Sequence, residues 1–337
     1  MLICEDSQTY AEALRRALEH SHEIEVVGVF PRAEKAIAAI PAARPDLVTM
    51  DLELPGMSGL EAVEQIMARS PVPILVLSAH VGPRSNNAVA ALAAGALDAV
   101  HKEALDLQDA AGPEAAALRR RVKILSGVRV IRHPRARLAG TLRKEAASER
   151  AASAIGMCAS TGGPQALATI LQALPASFEV PILVVQHMTA GFTEGLVQWL
   201  ADCIPLPVRM AEEGVAPETG VWVAPEDVDL RLDGAGRLAL DATTPPRPHR
   251  PSADVLLESL AESAGRKAVA VVLTGMGRDG GAGVTAIRDA GGLTIAQDEQ
   301  TSIVFGMPKA AVEGGAELVL PLNEIAGHLM RLHAAPT

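Results

Sequence analysis

Two groups of residues in this sequence have types and spacing that suit chemistry. The first lies late in the chain. "IGMCASTGGPQAL" places Ser160 between an apolar run and a helical pattern. "VPILVVQHM" ends its run at His187, and "AVAVVLTGMGRDGG" carries Asp279 just past a third run. A serine at a tight strand-to-helix turn sits beside spare backbone N–H groups and a positive helix end, good ground for a nucleophile or a bound phosphate. Serine, histidine and aspartate together are the parts of an acyl-transfer centre, recognised by geometry and role rather than order. Here the order is Ser, His, Asp, and "CASTGG" is not a G-x-S-x-G elbow. The expected fold is therefore not that of the α/β-hydrolases.

The second group lies early. "ICEDS" puts Glu5 and Asp6 after one apolar run, and "LVTMDLELPGMSG" puts Asp51 at the end of another. "ILVLSAH" supplies Ser78 and "AVHKE" supplies Lys102. Clustered carboxylates repel unless a cation sits among them, and hard oxygen donors suit Mg²⁺. A lysine and a hydroxyl beside them suit a phosphoryl group. The chemistry this implies is phosphorylation of an aspartate, with Mg²⁺ neutralising the transferred charge. A third pattern competes for Asp279. Gly275, Gly277 and Gly280 fall in G-x-G-x-x-G spacing with Glu299 about 20 residues on, the pattern of a dinucleotide-binding turn. Against it, Asp279 would set a carboxylate beside the pyrophosphate, and few strands remain after Gly280 to build a nucleotide-binding half.

These residues need elements to hold them. From residue 1 to about 105, the runs "LIC", "IEVVGV", "DLVTMD", "PILVLS" and "LDAV" alternate with helical patterns. That rhythm predicts five strands of a parallel sheet with crossover helices. The first run is short because the chain starts almost inside it. From about 153 the rhythm resumes with "AIGMCA", "VPILVVQ", "GVWVAP", "KAVAVVLTG", "GLTIA" and "ELVLPL". In open parallel sheets, ligands gather outside the carboxyl ends of the strands, so residues distant in sequence converge there. The fold class expected is α/β, with two doubly wound parallel-sheet domains, the first flavodoxin-like and the second a Rossmann-like three-layer sandwich. The boundaries read as 1–105, then a helix and basic linker over 106–152, then 153–337. The Ala- and Arg-rich linker reads first as a solvated tether, with an acidic partner surface as the alternative.

Composition narrows the classes. The 337 residues are 49% hydrophobic and 21% charged, which is globular. Net charge is -10, against nucleic acid as a partner. Cys4, Cys158 and Cys203 lie far apart and odd in number, with no disulfide or zinc spacing, as expected of a reducing cytoplasm. "MLICED" reaches acids too soon for a signal peptide, and no apolar run approaches the roughly 18 residues of a membrane span. A cytoplasmic protein with no membrane insertion is expected.

Residues 1 to 105 resemble a response-regulator receiver domain, on Glu5, Asp6, Asp51, "LPGMSG", Ser78 and Lys102. The resemblance implies that Asp51 accepts phosphate from a chemotaxis histidine kinase. It also implies Mg²⁺ at Glu5, Asp6 and Asp51, with Ser78 and Lys102 in the phosphoryl pocket. Glu103 stands where the family usually has proline, and Ala99 where an aromatic switch residue is common. The second half resembles the catalytic domain of the chemotaxis protein-glutamate methylesterases over about residues 153 to 333. The resemblance rests on "ASTGGP", "QHM", "VWVAPED", "RPSADVL", "LTGMGRDG" and "AQDEQTSIVFGMPKAA". Cys158, Thr189 and Asp229 replace residues common in that family. The resemblance implies that Ser160, His187 and Asp279 form a catalytic triad acting on γ-glutamyl methyl esters of chemoreceptors, and on glutamine side chains by the same acyl chemistry. No cofactor is needed for hydrolysis. Backbone N–H groups at Met276 and near His187 are the candidate oxyanion donors. A response regulator whose output is binding through the basic linker is the rival reading; it would leave Ser160 dispensable.

Overall fold

The computed structural model describes residues 1–79, 86–128, 130, 150–243 and 249–334. The chain divides into two units, Met1–Ala136 and Arg137–Thr337.

The N-terminal unit holds β1 (Leu2–Cys4), α1 (Gln8–Glu19), β2 (Gly28–Phe30), α2 (Ala33–Ala43), β3 (Val48–Asp51), α3 (Gly59–Arg69), β4 (Ile74–Ser78), α4 (Asn86–Ala93), β5 (Asp98–His101) and α5 (Pro113–Ser126). The five strands form one parallel sheet in the order β2-β1-β3-β4-β5. Every residue of β3 and β4 is buried, as in a sheet covered on both faces, and β4 is apolar up to its terminal Ser78. The run "IEVVGV" pairs only from Gly28, because β2 is an edge strand and Val27 and Val29 stay exposed. Helix starts follow their caps. Ser7 accepts from the Tyr10 N–H, and Ser58 with Glu61 closes a reciprocal capping box. The helix α5 folds with this unit: Leu118, Val122 and Leu125 are buried, and Arg119 donates to the carbonyl of Ala17 at 2.7 Å. The basic linker read from the sequence lies, over 131–149, outside the described residues.

The C-terminal unit runs through β6 (Arg150–Ala152), β7 (Ala154–Ala159), α6 (Gly163–Gln172), β8 (Ile182–Gln186), α7 (Thr193–Cys203), β9 (Val208–Met210), β10 (Val221–Val223), β11 (Asp229–Leu232), β12 (Leu238–Asp241), α8 (Ala253–Ala264), β13 (Ala268–Val272), α9 (Gly281–Asp289), β14 (Leu293–Gln297), α10 (Met307–Glu313), β15 (Leu318–Leu320), α11 (Leu322–Leu329) and β16 (Leu332–Ala334). Seven strands form a parallel sheet in the order β15-β14-β13-β7-β8-β10-β9. Period-two alternation along β7 sends Ile155, Met157 and Ala159 into one core and Ala154 and Cys158 into the other. The sheet is therefore covered by a core on each face. β9 and the antiparallel hairpin β11-β12 were not among the expected strands; three or four residues make too short a run to stand out.

Both sheets reverse direction once. In the first, β2 lies on one side of β1 and β3 on the other. In the second, β8 lies on one side of β7 and β13 on the other. These switch points leave a crevice outside the carboxyl ends of the flanking strands.

Candidate active site

Ser160, His187 and Asp279 follow β7, β8 and β13, which are neighbours at the second switch point. Register places Ala159 opposite Gln186, so Ser160 and His187 leave adjacent strands about 4.8 Å apart at the backbone. The His187 N–H donates to Ala159 O at 2.9 Å, and the Ser160 N–H donates to Thr274 O at 3.0 Å. Ser160 is thus strapped between the two strands that bring the histidine and the aspartate.

The imidazole and the carboxylate meet: His187 Nε2 lies 2.9 Å from Asp279 Oδ2, both nearly buried. Asp279 has three further donors. Its Oδ1 accepts from Ser252 Oγ at 3.0 Å and Asp254 N at 2.9 Å, and its Oδ2 accepts from Ala253 N at 2.7 Å. The carboxylate therefore sits against the first turn of α8. Burial alone would raise its pKa. The hydrogen bond and charge of His187, with the N–H groups of Asp254 and Ala253, outweigh burial and hold it well below the usual carboxylate range. Nε2 meets Asp279 as a close ion-pair contact, and neither ring nitrogen makes a hydrogen bond of good geometry among the described residues; Nδ1 is the nitrogen left to face a nucleophile. No hydrogen bond joins it to Ser160, a spacing common before substrate binds.

Met276 follows Gly275 in the turn after β13. Its N–H makes no hydrogen bond among the described residues, whereas that of His187 is spent on Ala159 O. A free donor beside the serine is what a developing oxyanion requires.

Sequence reasoning did not single out several residues that hold this site. Gln186 is buried at the end of β8, where its Nε2 donates at 2.8 Å to both Ser160 O and His187 O. It fits only because Gly163 has no side chain: a Cβ there would lie 2.0 Å from Gln186 Oε1. Thr274 donates to Thr161 O at 3.0 Å, and its own N–H is taken by Gln297 Oε1 at 2.8 Å. His249 stacks on His187 with ring centroids 4.5 Å apart. Ser252 and Asp254 had a visible signal, a serine and an acid opening a helix in "RPSADVL", but not their target. Apart from them, these residues read as ordinary loop or strand positions.

The dinucleotide pattern does not survive the same geometry. A pyrophosphate would need the N–H groups at the start of α9. Gly280 N and Gly283 N donate instead to Asp254 Oδ1, at 2.9 and 2.8 Å.

In the N-terminal unit, Glu5, Asp6 and Asp51 bring carboxylate oxygens within 4.8 Å of one another at the first switch point. Lys102 Nζ lies 2.6 Å from Glu5 Oε2 and 2.8 Å from Asp51 Oδ2. Burial would lower the Lys102 pKa, but the bonds to Asp51 and Glu5 raise it; burial raises that of Glu5 despite Lys102. The ammonium also stands 4.7 Å from the centre of the Tyr10 ring. Ser78 ends β4, buried, one position past Leu77, which pairs with Asp51. Oxygen donors from two buried carboxylates, Glu5 and Asp51, and the exposed Asp6 fit a hard divalent cation such as Mg²⁺.

Residues 155–329 match the family described as CheB methylesterase, and residues 1–110 match the response regulator receiver domain. A protein-glutamate methylesterase/protein-glutamine glutaminase of Anaeromyxobacter dehalogenans is 43% identical over 98% of this chain and 96% of its own length. One from Cupriavidus metallidurans is 40% identical over 97% and 96%. The crystal structure of the Thermotoga maritima CheB methylesterase catalytic domain superposes with a TM-score of 0.52 at 40% identity, covering 53% of this chain and 98% of that one.

Proposed function

Because the chain belongs to the CheB methylesterase family and opens with a response regulator receiver domain, we propose that it is a phosphorylation-regulated protein-glutamate methylesterase and protein-glutamine glutaminase. The observation that carries this reading is the His187–Asp279 pair, 2.9 Å apart, beside the turn that presents Ser160.

Each residue then has a role. Ser160 Oγ attacks the side-chain carbonyl of a methylated glutamate while His187 Nδ1 takes its proton. Asp279, ionised and immobilised by its other donors, orients the imidazole and balances the charge it gains. The Met276 N–H receives the oxyanion; one such donor is worth about 3 kcal/mol in comparable hydrolases. His187 returns the proton to the leaving methoxide, and methanol departs. Water, activated by the same imidazole, then releases the glutamate carboxylate. With glutamine the leaving group is ammonia. None of these steps uses a metal.

In the N-terminal unit, Asp51 is the proposed phosphoryl acceptor from a chemotaxis histidine kinase. Glu5, Asp6 and Asp51 would hold Mg²⁺, which supplies charge neutralisation for the transferred group. Lys102 and Ser78 would meet the phosphoryl oxygens. The proposed division of the chain is a receiver over 1–105, a helix and basic linker over 106–152, and a hydrolase over 153–337. Chemoreceptors are the proposed substrates. No helix among the described residues is long and apolar enough to cross a membrane. The three cysteines are free thiols, which suits the cytoplasm.

The test is methanol release from methylated receptor fragments, with and without a small phosphodonor and Mg²⁺. The intact protein should respond to the donor, and Asp51→Asn should abolish the response. Ser160→Ala should lose activity by about 10³-fold or more. Activity retained without the serine hydroxyl would refute the reading.

A further inference from the structure

Asp279 has to be held still, yet its chain neighbours are permissive. Gly277 and Gly280 both adopt left-handed backbone, with φ of 95° and 97°, and Gly281 follows. Glycines lose the most freedom on ordering, and a turn rich in them has little stiffness of its own. Something outside the turn must fix it.

The hydrogen bonds name that residue. The Asp254 backbone N–H donates to Asp279 Oδ1 at 2.9 Å. In return, Asp254 Oδ1 accepts from Gly280 N at 2.9 Å and Gly283 N at 2.8 Å. Each aspartate thus caps the helix that the other opens or precedes. Asp279 satisfies the first N–H groups of α8, and Asp254 satisfies those of α9. We infer that Asp254 is the positioning residue for the hydrolytic site, locking Asp279 toward His187 by this exchange of caps between the starts of α8 and α9. The inference rests on the triad reading above.

The geometry makes the effect directional. The bond to Gly280 grips the residue immediately after Asp279, and the bond to Gly283 grips the same strand of backbone one helical turn on. On the other side the turn is held at Gly275, whose N–H donates to Val304 O and whose carbonyl accepts from Gly306 N and Met307 N, so the turn is clamped at both ends. Without the Asp254 carboxylate, Gly280 and Gly281 become a hinge, and Asp279 Oδ2 is free to leave His187 Nε2. Burial and then the neighbouring Asp279 raise the pKa of Asp254, while Asp279 is driven the other way. Negative charge is therefore kept on the carboxylate that faces the imidazole. An asparagine at 254 keeps a side-chain oxygen that can accept from both glycines, so it preserves the grip on the turn without the carboxylate's charge.

The experiment compares Asp254→Ala, Asp254→Asn and Ser160→Ala in the full-length protein. Methanol release is measured over a range of receptor-fragment concentrations, and folding is followed by circular dichroism. The expected result is a fall of about 10²-fold in kcat for Asp254→Ala, with KM within about twofold of the parent. Asp254→Asn should recover kcat to within about fivefold. A folded Asp254→Ala protein with parental kcat overturns the inference. So does a loss that tracks only the unfolded fraction, or an asparagine variant as impaired as the alanine. If the alanine variant does not fold, Asp254→Ser takes its place. Its hydroxyl reaches fewer of the two N–H groups, and parental kcat there overturns the inference equally. Full activity in Ser160→Ala would bring down the triad reading itself; an inactive Ser160→Ala beside an unimpaired Asp254→Ala would bring down this inference alone.

Discussion

Gly275→Ala adds one methyl group where the turn after β13 abuts Ser160. Its Cβ would lie 2.8 Å from Ser160 Cβ, 3.0 Å from Ser160 N and 2.4 Å from Met307 Sδ. Non-bonded carbons settle at about 3.5–4.0 Å, so the contact with Ser160 is short by roughly 0.7–1.2 Å. The Met307 thioether is flexible but fully buried, so it yields by repacking within the core. Ser160 cannot move so easily, because its N–H is bonded to Thr274 O and its carbonyl to Gly163 N and Gln186 Nε2. The strain therefore falls on the proposed nucleophile and on the Gly275–Met276 peptide that carries the proposed oxyanion donor. A misplacement of about 1 Å costs about 10²-fold in rate, or about 2.7 kcal/mol of barrier. Overpacking of this kind costs roughly 1–3 kcal/mol of stability, so the protein should remain folded. The assay is methanol release under saturating substrate, paired with a thermal melt. A folded Gly275→Ala protein with kcat within about threefold of the parent would refute the placement of the reacting centre between Ser160 and Met276.

Two further outcomes follow from the ionisable groups. Burial, then the charges of Asp51 and Glu5, push the Cys4 thiol up to about 12, and burial pushes Cys158 well above its ordinary value. The native protein at pH 8 should therefore give a thiol reagent at most one fast reaction, at the partly buried Cys203, and three in guanidinium chloride; two fast native thiols would contradict the burial. Asp279 is depressed in the folded state relative to about 3.9 unfolded, so its contribution to stability is present above about pH 4 and is lost as pH falls through the folded value. Melting temperature should drop on acidification below pH 4, and Asp279→Asn should flatten that drop; equal slopes in both proteins would show that Asp279 is not the linked group.

The residues at strand ends were legible because an open parallel sheet obeys a rule that needs only strand order. Ser160, His187 and Asp279 each follow a run of β-branched and aliphatic residues, and so do Glu5, Asp51 and Lys102 in the first half. What was not legible depends on pairings that no period reveals. Gln186 looks like the last residue of an apolar run, yet its amide is bonded to the backbone of two strand ends. Asp254 looks like an ordinary acid in the first turn of a helix, and its partners lie 26 and 29 residues away. The edge strands β2 and β9 were misjudged or missed for a related reason. An edge strand buries one side only, so its pattern is weak where it pairs and apolar where it does not.

The contact between Lys102 and the Tyr10 ring has an optical consequence. The chain contains one tyrosine and two tryptophans, and Trp199 and Trp222 both belong to the C-terminal unit. The only phenol ring therefore lies against the ammonium group that pairs with Asp51, while indole emission comes wholly from the unit that carries Ser160. The two units are separately labelled by their own side chains. The tyrosine reports charge beside Lys102 and Asp51, and tryptophan fluorescence reports the unit that carries Ser160, in the same unmodified sample.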